Sequence, residues 1–246
     1  MKLPFILLLY ILHATSFGQN TLVWSDEFDG TELNLNNWGF DIGQGTWGWG
    51  NNELQYYTSR TNNSRIENNQ LVIEAHEENY LSADYTSARL ITRFKHDFTY
   101  GRMEARIKIP YGQGMWPAFW LLGSNFDTVN WPNCGEIDIM ENVGFEPKTI
   151  HGSLHGPGYF GANSVSGGYT TAADISDDYH VFAVEWETNS IRFYFDDINY
   201  FTATPASMAP NPWVFDHDFF FILNVAVGGI WPGSPDGSTV FPQQML

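Results

Sequence analysis

Three carboxylates occur within six residues of an otherwise apolar segment, in the stretch Gly135-Glu136-Ile137-Asp138-Ile139-Met140-Glu141-Asn142. Side chains of a β-strand alternate between its two faces, so Glu136 and Asp138 share one face while the isoleucines point into a core. Strict alternation would send Glu141 to the core side, where a lone carboxylate is strongly unfavourable. The sequence therefore predicts a β-bulge at Met140, one extra residue that returns Glu141 to the face of the other two acids.

The bulged strand indicates what the acids can do together. About four effective strand steps of ~3.3 Å place the Cα atoms of Glu136 and Glu141 ~13 Å apart. If each side chain leans inward by roughly 4 Å, the carboxyl groups lie about 5 Å apart, the separation that retaining glycoside hydrolysis requires. A solvated acidic edge and a calcium site are the alternatives, because hard cations also prefer carboxylates.

Charge and composition restrict the partner. The 246 residues include 28 acidic and 11 basic side chains, which gives a formal charge of -17. Such a surface repels nucleic acid and anionic membranes and disfavours a strongly anionic substrate, so we expect a neutral partner. Ten tryptophans and an aromatic content of 17% exceed the usual needs of one core. The surplus indicates flat surfaces on which a ligand could stack, although a tryptophan-rich β-core is the alternative.

The N-terminal residues resemble a targeting segment. Lys2 precedes an apolar run over residues 3–12, and small or polar residues follow at 14–19. We interpret 1–19 as a signal peptide and 20–246 as one secreted domain, extracellular or periplasmic, monomeric and free of membrane after signal removal. A retained membrane anchor is the alternative, but the run is too short to span a bilayer. Cys134 is the only cysteine, so no internal disulfide can form.

Short apolar or alternating runs bounded by Gly, Asn, Asp and Pro recur along the chain, and helical periodicity does not. We expect a first edge strand at residues 21–28, an alternating strand at 101–109 and a fully buried strand at 219–227. The pattern predicts an all-β fold, a β-sandwich jelly roll of two antiparallel curved sheets whose concave face forms a substrate cleft. Residues 243–246 resemble the approach to a further strand, so we expect the domain to lack its last strand.

The motif E-x-D-x-x-E at 136–141 matches glycoside hydrolase family 16, and Met-Trp-Pro-Ala-Phe-Trp at 115–120 resembles the laminarinase branch of that family, the endo-β-1,3-glucanases. The segments at 48–53, 100–106, 151–155 and 224–229 resemble the same branch. The acidic motif alone would be a weak indication, but five such blocks in the right order make chance agreement improbable. Met140 favours this branch, since the lichenase and xyloglucan branches lack that residue.

The resemblance implies a secreted retaining endo-glucanase that hydrolyses β-1,3, and also mixed β-1,3/1,4, bonds of laminarin-type glucans without a catalytic cofactor. Glu136 would be the nucleophile and Glu141 the general acid and base, while Asp138 would raise the pKa of its neighbour and share a proton with Glu136. A non-catalytic β-glucan-binding module on the same sandwich is one alternative, disfavoured because both catalytic acids are present. A family 16 hydrolase of another polysaccharide, such as agar, is the other.

Substrate contacts are also implied by the resemblance. Trp116 and Trp120 share one strand face and would stack on sugar rings, as would Trp231, although each could instead belong to the core. The remaining candidates are polar residues that would hydrogen-bond to the glycone half of the cleft: Asn51, Glu53 and Arg89. For these, loop-fixing amides and a surface guanidinium are the alternative interpretation.

Two further expectations concern His155 and metal ions. His155 would donate a hydrogen bond near the nucleophile. His151 lies four residues earlier on the same face, so a transition-metal pair is the alternative. The family often carries a structural calcium, for which Glu27 and Gly30 are the N-terminal candidates here. The matching C-terminal acid is absent from the sequence.

Overall fold

The structure is a computed structural model that describes residues 21–246. The signal peptide predicted at 1–19 lies outside the described residues. Within 21–246 there is no helix with the length and apolar character that crossing a membrane would need.

The all-β prediction is confirmed. The strands are β1 Gly39–Phe40, β2 Gln55–Tyr57, β3 Ser64–Glu67, β4 Gln70–Tyr80, β5 Ala83–Ser87, β6 Arg89–Ile91, β7 Gly101–Ile107, β8 Met115–Gly123, β9 Glu136–Glu141, β10 Thr149–His155, β11 Val165–Thr170, β12 His180–Glu187, β13 Ser190–Phe195, β14 Ile198–Ala203, β15 Phe219–Val227 and β16 Gln243–Met245. The α-helices of the described chain are single turns, α1 Phe126–Val129 and α2 Pro205–Met208.

One large sheet of seven strands carries the acidic strand β9 in its interior. Its order is β1-β6-β15-β8-β9-β10-β11, and every pairing within it is antiparallel. The remaining strands form a sheet of order β14-β13-β12-β7 and another of order β16-β4-β5-β2, with β3 on β4. Reciprocal backbone hydrogen bonds between Lys108 and Leu246 link these two smaller sheets. The β2–β5 pair is parallel, which departs from the fully antiparallel prediction.

The core is filled by side chains that alternate inward along the strands. On β7, Met103 and Ile107 are buried whereas Glu104 and Arg106 are exposed, as the alternating pattern predicted. Complete burial of each large apolar side chain contributes about 1.5–3 kcal/mol. The largest of these fully buried side chains include Trp186, Phe182, Phe193, Phe215 and Phe219.

The strand predicted at residues 21–28 is wrong, because this segment has no regular structure. Asp26 accepts a hydrogen bond from the backbone N–H of Phe28, and its other oxygen accepts from Asn37 Nδ2 and Trp38 Nε1. This local side-chain bonding takes the place of a strand ladder. At the other end, Gln243–Met245 is itself a strand on β4. The absence of the family's last strand stays a prediction.

Candidate active site

A bulge is present in β9, as predicted, but the register against β8 makes Ile139 the extra residue, one position before the predicted Met140. Along β8, Phe119 faces Met140 and Trp120 faces Asp138, which leaves Ile139 without a partner. Along β10, the register shifts at the same place. Ile139 and Met140 are both buried in the hydrophobic core. The extra residue lets Glu141 leave the core side and join the other acids.

Glu136 and Asp138 meet His155 from the neighbouring strand. Nε2 of His155 lies 2.9 Å from Asp138 Oδ2 and 3.6 Å from Glu136 Oε1. The three side chains place one ligand atom each within 4.8 Å of one another. His155 therefore lies beside the predicted nucleophile, as expected.

Burial and mutual repulsion control the protonation of these acids. Burial, as the larger cause, and the negative charge of Asp138, as the second, raise the pKa of Glu136 to about 8. The same two causes raise the pKa of Glu141 well above its usual range. Burial lowers the pKa of His155, but the charges of Glu136 and Asp138 outweigh burial and raise it. The cluster therefore holds protons at neutral pH that isolated carboxyl groups would release.

Trp116 and Trp120 are half-buried on the acid side of the large sheet, and neither belongs to the fully buried core. Trp116 Nε1 donates to Glu141 Oε1 at 3.0 Å, and Trp120 Nε1 donates to Asn224 Oδ1 at 2.8 Å. Their ring faces can contact a sugar while the indole nitrogens are fixed by the protein. Trp231 lies edge to face with Trp116, with ring centroids 5.5 Å apart.

Glu53 is the centre of a hydrogen-bonded group that anchors the glycine-rich loop. It accepts from Asn51 Nδ2 at 3.2 Å, from Gln55 Nε2 at 2.7 Å and from Tyr57 OH at 3.3 Å. Burial raises its pKa, although the hydrogen bond from Gln55 opposes this. These hydrogen bonds hold the loop in place, and contact of Asn51 and Glu53 with a substrate stays a prediction.

Arg89 is largely buried between two tryptophans and is not a surface guanidinium. Its Cζ lies 4.5 Å from the ring centre of Trp49 and 4.8 Å from that of Trp120. Its Nε lies 3.0 Å from Asp41 Oδ2. The charge of Arg89 also lowers the pKa of Glu136, which places this residue close to the acids.

Three polar residues that the sequence analysis missed, Gln55, Tyr57 and Asn224, connect the loop to the large sheet. Asn224 Nδ2 donates to Tyr57 OH, and Gln55 Oε1 accepts from the backbone N–H of Val227. A hydrogen-bonded chain therefore runs from Trp120 through Asn224 and Tyr57 to Glu53. A single asparagine within the apolar segment Phe219–Val227 could have indicated Asn224, because a buried amide needs partners.

The two histidines of β10 have different partners. His151 Nε2 lies 2.9 Å from Glu146 Oε2, and its ring lies edge to face with Trp231, with centroids 5.1 Å apart. His155 belongs to the acid cluster. The structure thus gives no support to a metal site shared by the two histidines.

The calcium candidates do not form a complete site from side chains. Glu27 and Gly30 are both exposed in an irregular segment. Among residues 21–246, the only three His, Cys, Asp or Glu side chains close enough together to share a metal ion are Glu136, Asp138 and His155. This group contains neither Glu27 nor Gly30.

Comparison with known proteins agrees with this geometry. The sequence model of the family described as Glycosyl hydrolases family 16 matches residues 51–243. The chain belongs to this family. As a member of family 16 it is a glycoside hydrolase, with a jelly-roll sandwich as its fold.

Relatives within family 16 are closely similar in sequence and structure. A beta-glucanase of Rhodothermus marinus is 43% identical, with 92% of this chain and 82% of the relative covered. A glucan endo-1,3-beta-glucosidase A1 of Niallia circulans is 36% identical over 91% of this chain, which spans only 36% of that protein. The laminarinase catalytic domain of Thermotoga maritima superimposes with a TM-score of 0.89 at 47% identity, covering 92% of this chain and 94% of that domain.

Proposed function

We propose that this family 16 member is a retaining endo-glycosidase that cleaves β-1,3 glucosidic bonds of laminarin-type glucans, and also mixed β-1,3/1,4 glucans. The observation that carries the proposal is the bulge, which places Glu141 on the same side of β9 as Glu136. A retaining double displacement needs two carboxyl groups that flank the scissile bond about 5–5.5 Å apart, and two acids close together on one strand face can do this. The β-glucan substrate is inferred from the relatives, a beta-glucanase, a glucan endo-1,3-beta-glucosidase and a laminarinase.

In the first step, a carboxylate oxygen of Glu136 forms a bond with the anomeric carbon as the glycosidic C–O bond breaks. Glu141 gives its proton to the departing oxygen. In the second step, water attacks the anomeric carbon, the bond to Glu136 breaks, and Glu141 takes a proton from the water. The raised pKa of Glu141 supports its role as the acid, because the group must enter the reaction protonated.

Glu136 must be ionised when it attacks, although its pKa is about 8. We assign to Asp138 the role of accepting the proton from Glu136, since the carboxyl oxygens of the two lie within 4.8 Å of one another. Trp116 holds Glu141 through its indole N–H. This arrangement assigns each of the three acids a separate task.

Sugar binding is assigned to the aromatic and polar residues around the acids. Trp116, Trp120 and Trp231 would stack on pyranose rings, since Trp116 contacts Glu141, Trp120 lies beside Asp138 on β8, and Trp231 packs against Trp116. Arg89, fixed by Asp41, and the loop residues Asn51 and Glu53 would contact the glycone half. The acidic surface agrees with a neutral glucan rather than a sulfated galactan.

The test combines product analysis with one substitution. The protein is incubated with laminarin, mixed-linkage glucan and agarose, and reducing ends and the initial anomeric configuration are measured. We expect β-configured products from laminarin. Glu136→Ser should lower kcat by roughly 10⁴-fold or more, as removal of a covalent nucleophile does. Absence of reducing ends from laminarin would overturn the substrate assignment, and near-normal activity of Glu136→Ser would overturn the nucleophile assignment.

Export, oligomeric state and calcium complete the proposal. We assign residues 1–19 to a signal peptide, so expression of the whole chain should release a protein that begins near residue 20. Edman sequencing and light scattering would check this start and the expected monomer. If Glu27 and Gly30 contribute to a calcium site, EDTA should lower the unfolding temperature of the protein. An unfolding temperature that EDTA leaves unchanged would contradict a calcium site.

A further inference from the structure

His151 lies on β10 directly opposite Glu141 of β9, and it has no task in the two steps of the proposed reaction. Directly opposite residues of an antiparallel pair share one face of the sheet, so the imidazole of His151 stands on the face of the acids. Its Nε2 lies 2.9 Å from Oε2 of Glu146. Its ring also meets the indole of Trp231, with centroids 5.1 Å apart and planes at 73°. His151 therefore joins the β9–β10 turn, which carries Glu146, to the loop that carries Trp231.

Trp231 is held edge to face from two sides. Its partner on β8 is Trp116, with centroids 5.5 Å apart and planes at 83°, and its partner on β10 is His151. Edge-to-face contacts at these distances are favourable and restrict the orientation of a ring. β8 and β10 are the two neighbours of β9 in the large sheet. Trp231 therefore spans β9 at the end where Glu141 lies.

The backbone on either side of Trp231 is anchored to other parts of the protein. The N–H of Ile230 donates to the carbonyl of Asn51 at 2.8 Å. Gln113 Nε2 donates to the carbonyl of Pro232 at 2.7 Å. The indole can therefore change its orientation mainly by rotation about its side-chain bonds. Trp231 is 36% exposed, which leaves ring surface for a ligand, and the two edge contacts decide which way that surface points.

The position of His151 depends on the turn between β9 and β10. The buried amide of Asn142 donates to the carbonyls of Glu146 at 3.1 Å and Thr149 at 2.9 Å, which fixes this turn on the end of β9. Glu146 then orients the imidazole by accepting a hydrogen bond from Nε2. The Glu146 side chain is 40% exposed, so water competes for its oxygens and that bond alone contributes little. The contact between the rings of His151 and Trp231 is therefore the stronger link.

The order of the strands decides on which side of the acids this contact lies. Arg89 on β6 and Trp120 on β8, both predicted to lie along the glycone half, are on one side of β9, and His151 is on the other. A leaving sugar extends from the acids away from the glycone, towards β10. We propose that His151 is a positioning residue, which holds Trp231 against the leaving sugar so that the glycosidic oxygen meets the proton of Glu141. This catalytic consequence rests on the proposed function, whereas the contact between the rings can be measured without it.

The kinetic test compares two leaving groups. Laminarin needs both the proton of Glu141 and a well-seated leaving sugar, whereas a dinitrophenyl laminaribioside releases a stable phenolate and needs neither. In His151→Ala, kcat/KM for laminarin should decrease by roughly 10-fold, because the leaving sugar is misplaced. For the aryl substrate, kcat/KM should stay within about 2-fold of the parent value. Equal losses on the two substrates would overturn the proposal, whereas a parent protein inactive on laminarin would contradict the proposed function instead.

Two more variants separate the ring from the hydrogen bond. His151→Phe keeps an aromatic ring and removes the bond to Glu146, whereas His151→Gln keeps a hydrogen-bonding group and removes the ring. We expect His151→Phe to retain laminarin hydrolysis within about 3-fold, since an edge-to-face contact persists. His151→Gln should lose as much activity as His151→Ala. The reverse order would assign the effect to the hydrogen bond and overturn the proposal.

His180 supplies a matched control on β12, in another sheet. Its Nδ1 lies 2.9 Å from Asp196 Oδ2, and its ring centroid lies 4.6 Å from that of Phe195. The exposure of its side chain, 21%, is close to the 25% of His151. We expect His180→Ala to leave the rates on both substrates unchanged. A selective loss on laminarin equal to that of His151→Ala would contradict a role that depends on Trp231.

The ring contact itself can be measured by NMR. The ¹H–¹⁵N resonance of the Trp231 indole is identified by its loss in Trp231→Phe. We expect this resonance to shift in His151→Ala and in His151→Gln, because a neighbouring ring is removed, and to stay in place in His180→Ala. A resonance that keeps its position in both His151 variants would overturn the proposal, whether or not the protein hydrolyses any glucan.

Discussion

Replacement of Asp138 by Asn removes a buried negative charge from the acid cluster while keeping the shape of the side chain. The charge of Asp138 is the second-largest cause, after burial, of the raised pKa of both Glu136 and Glu141. The rate of a retaining glycosidase increases as its nucleophile ionises and decreases as its acid ionises. Without the charge, both groups ionise at lower pH. Both limbs of the pH–rate profile should therefore move towards acid pH.

The size of this shift follows from the distance between the groups. Carboxyl oxygens of Glu136 and Asp138 lie within 4.8 Å of one another. At that distance and an effective dielectric constant of about 20, two unit charges interact with roughly 3.5 kcal/mol. Partial access of water to Glu136 reduces this, and at about 1.4 kcal/mol per pH unit we expect the acidic limb to move by roughly 1–2 units.

The assay is the initial rate of laminarin hydrolysis between pH 4 and 10, with kcat and KM at each pH. In Asp138→Asn, kcat at the new optimum should be about 10–100-fold below that of the parent protein, since the proton acceptor for Glu136 is lost. Glu104→Gln is the control: it removes one charge from an exposed position on β7 and should leave the profile in place. A profile of Asp138→Asn that keeps its position would refute the electrostatic explanation.

Two further predictions concern the fold around the site. Deletion of Met140 makes β9 regular and leaves Glu141 on the acid face. Because a buried side chain is lost, we expect a folded protein that is less stable by roughly 2–5 kcal/mol. Urea unfolding measures the stability and laminarin hydrolysis the residual activity, and a folded deletion variant without any activity would contradict the prediction. In Gly123→Ala the new Cβ would lie 1.9 Å from the carbonyl oxygen of Cys134, whereas in Gly237→Ala it would meet no atom within 4 Å. The first should lose about 3 kcal/mol of unfolding free energy and the second almost none, and equal stability of the two variants would be evidence against the close contact.

Several features of the fold were predictable because they depend on neighbouring residues. The bounds of β9 and β15 agree with the predicted segments. Alternation of acids and apolar residues indicated β9, and a nearly continuous apolar run between turn residues indicated β15. β11 was missed because Gly167 and Gly168 interrupt its pattern. A Cβ at Gly167 would lie 2.6 Å from the ring of Phe201, so this glycine permits the close approach of another strand. That requirement involves residues distant in sequence and leaves no local pattern.

The sequence by itself determined the all-β class, the acidic strand and its bulge, because side-chain alternation and the cost of a buried carboxylate act within a few residues. Only the tertiary structure decided what surrounds the acids. The hydrogen bond between Asn224 and Tyr57 joins residues 167 positions apart, and the Gly161 amide reaches His155 through the shape of a loop. Hydrogen bonds depend on distance and direction, which chain order does not specify for distant residues. The protonation of the acid cluster is therefore a property of the folded protein.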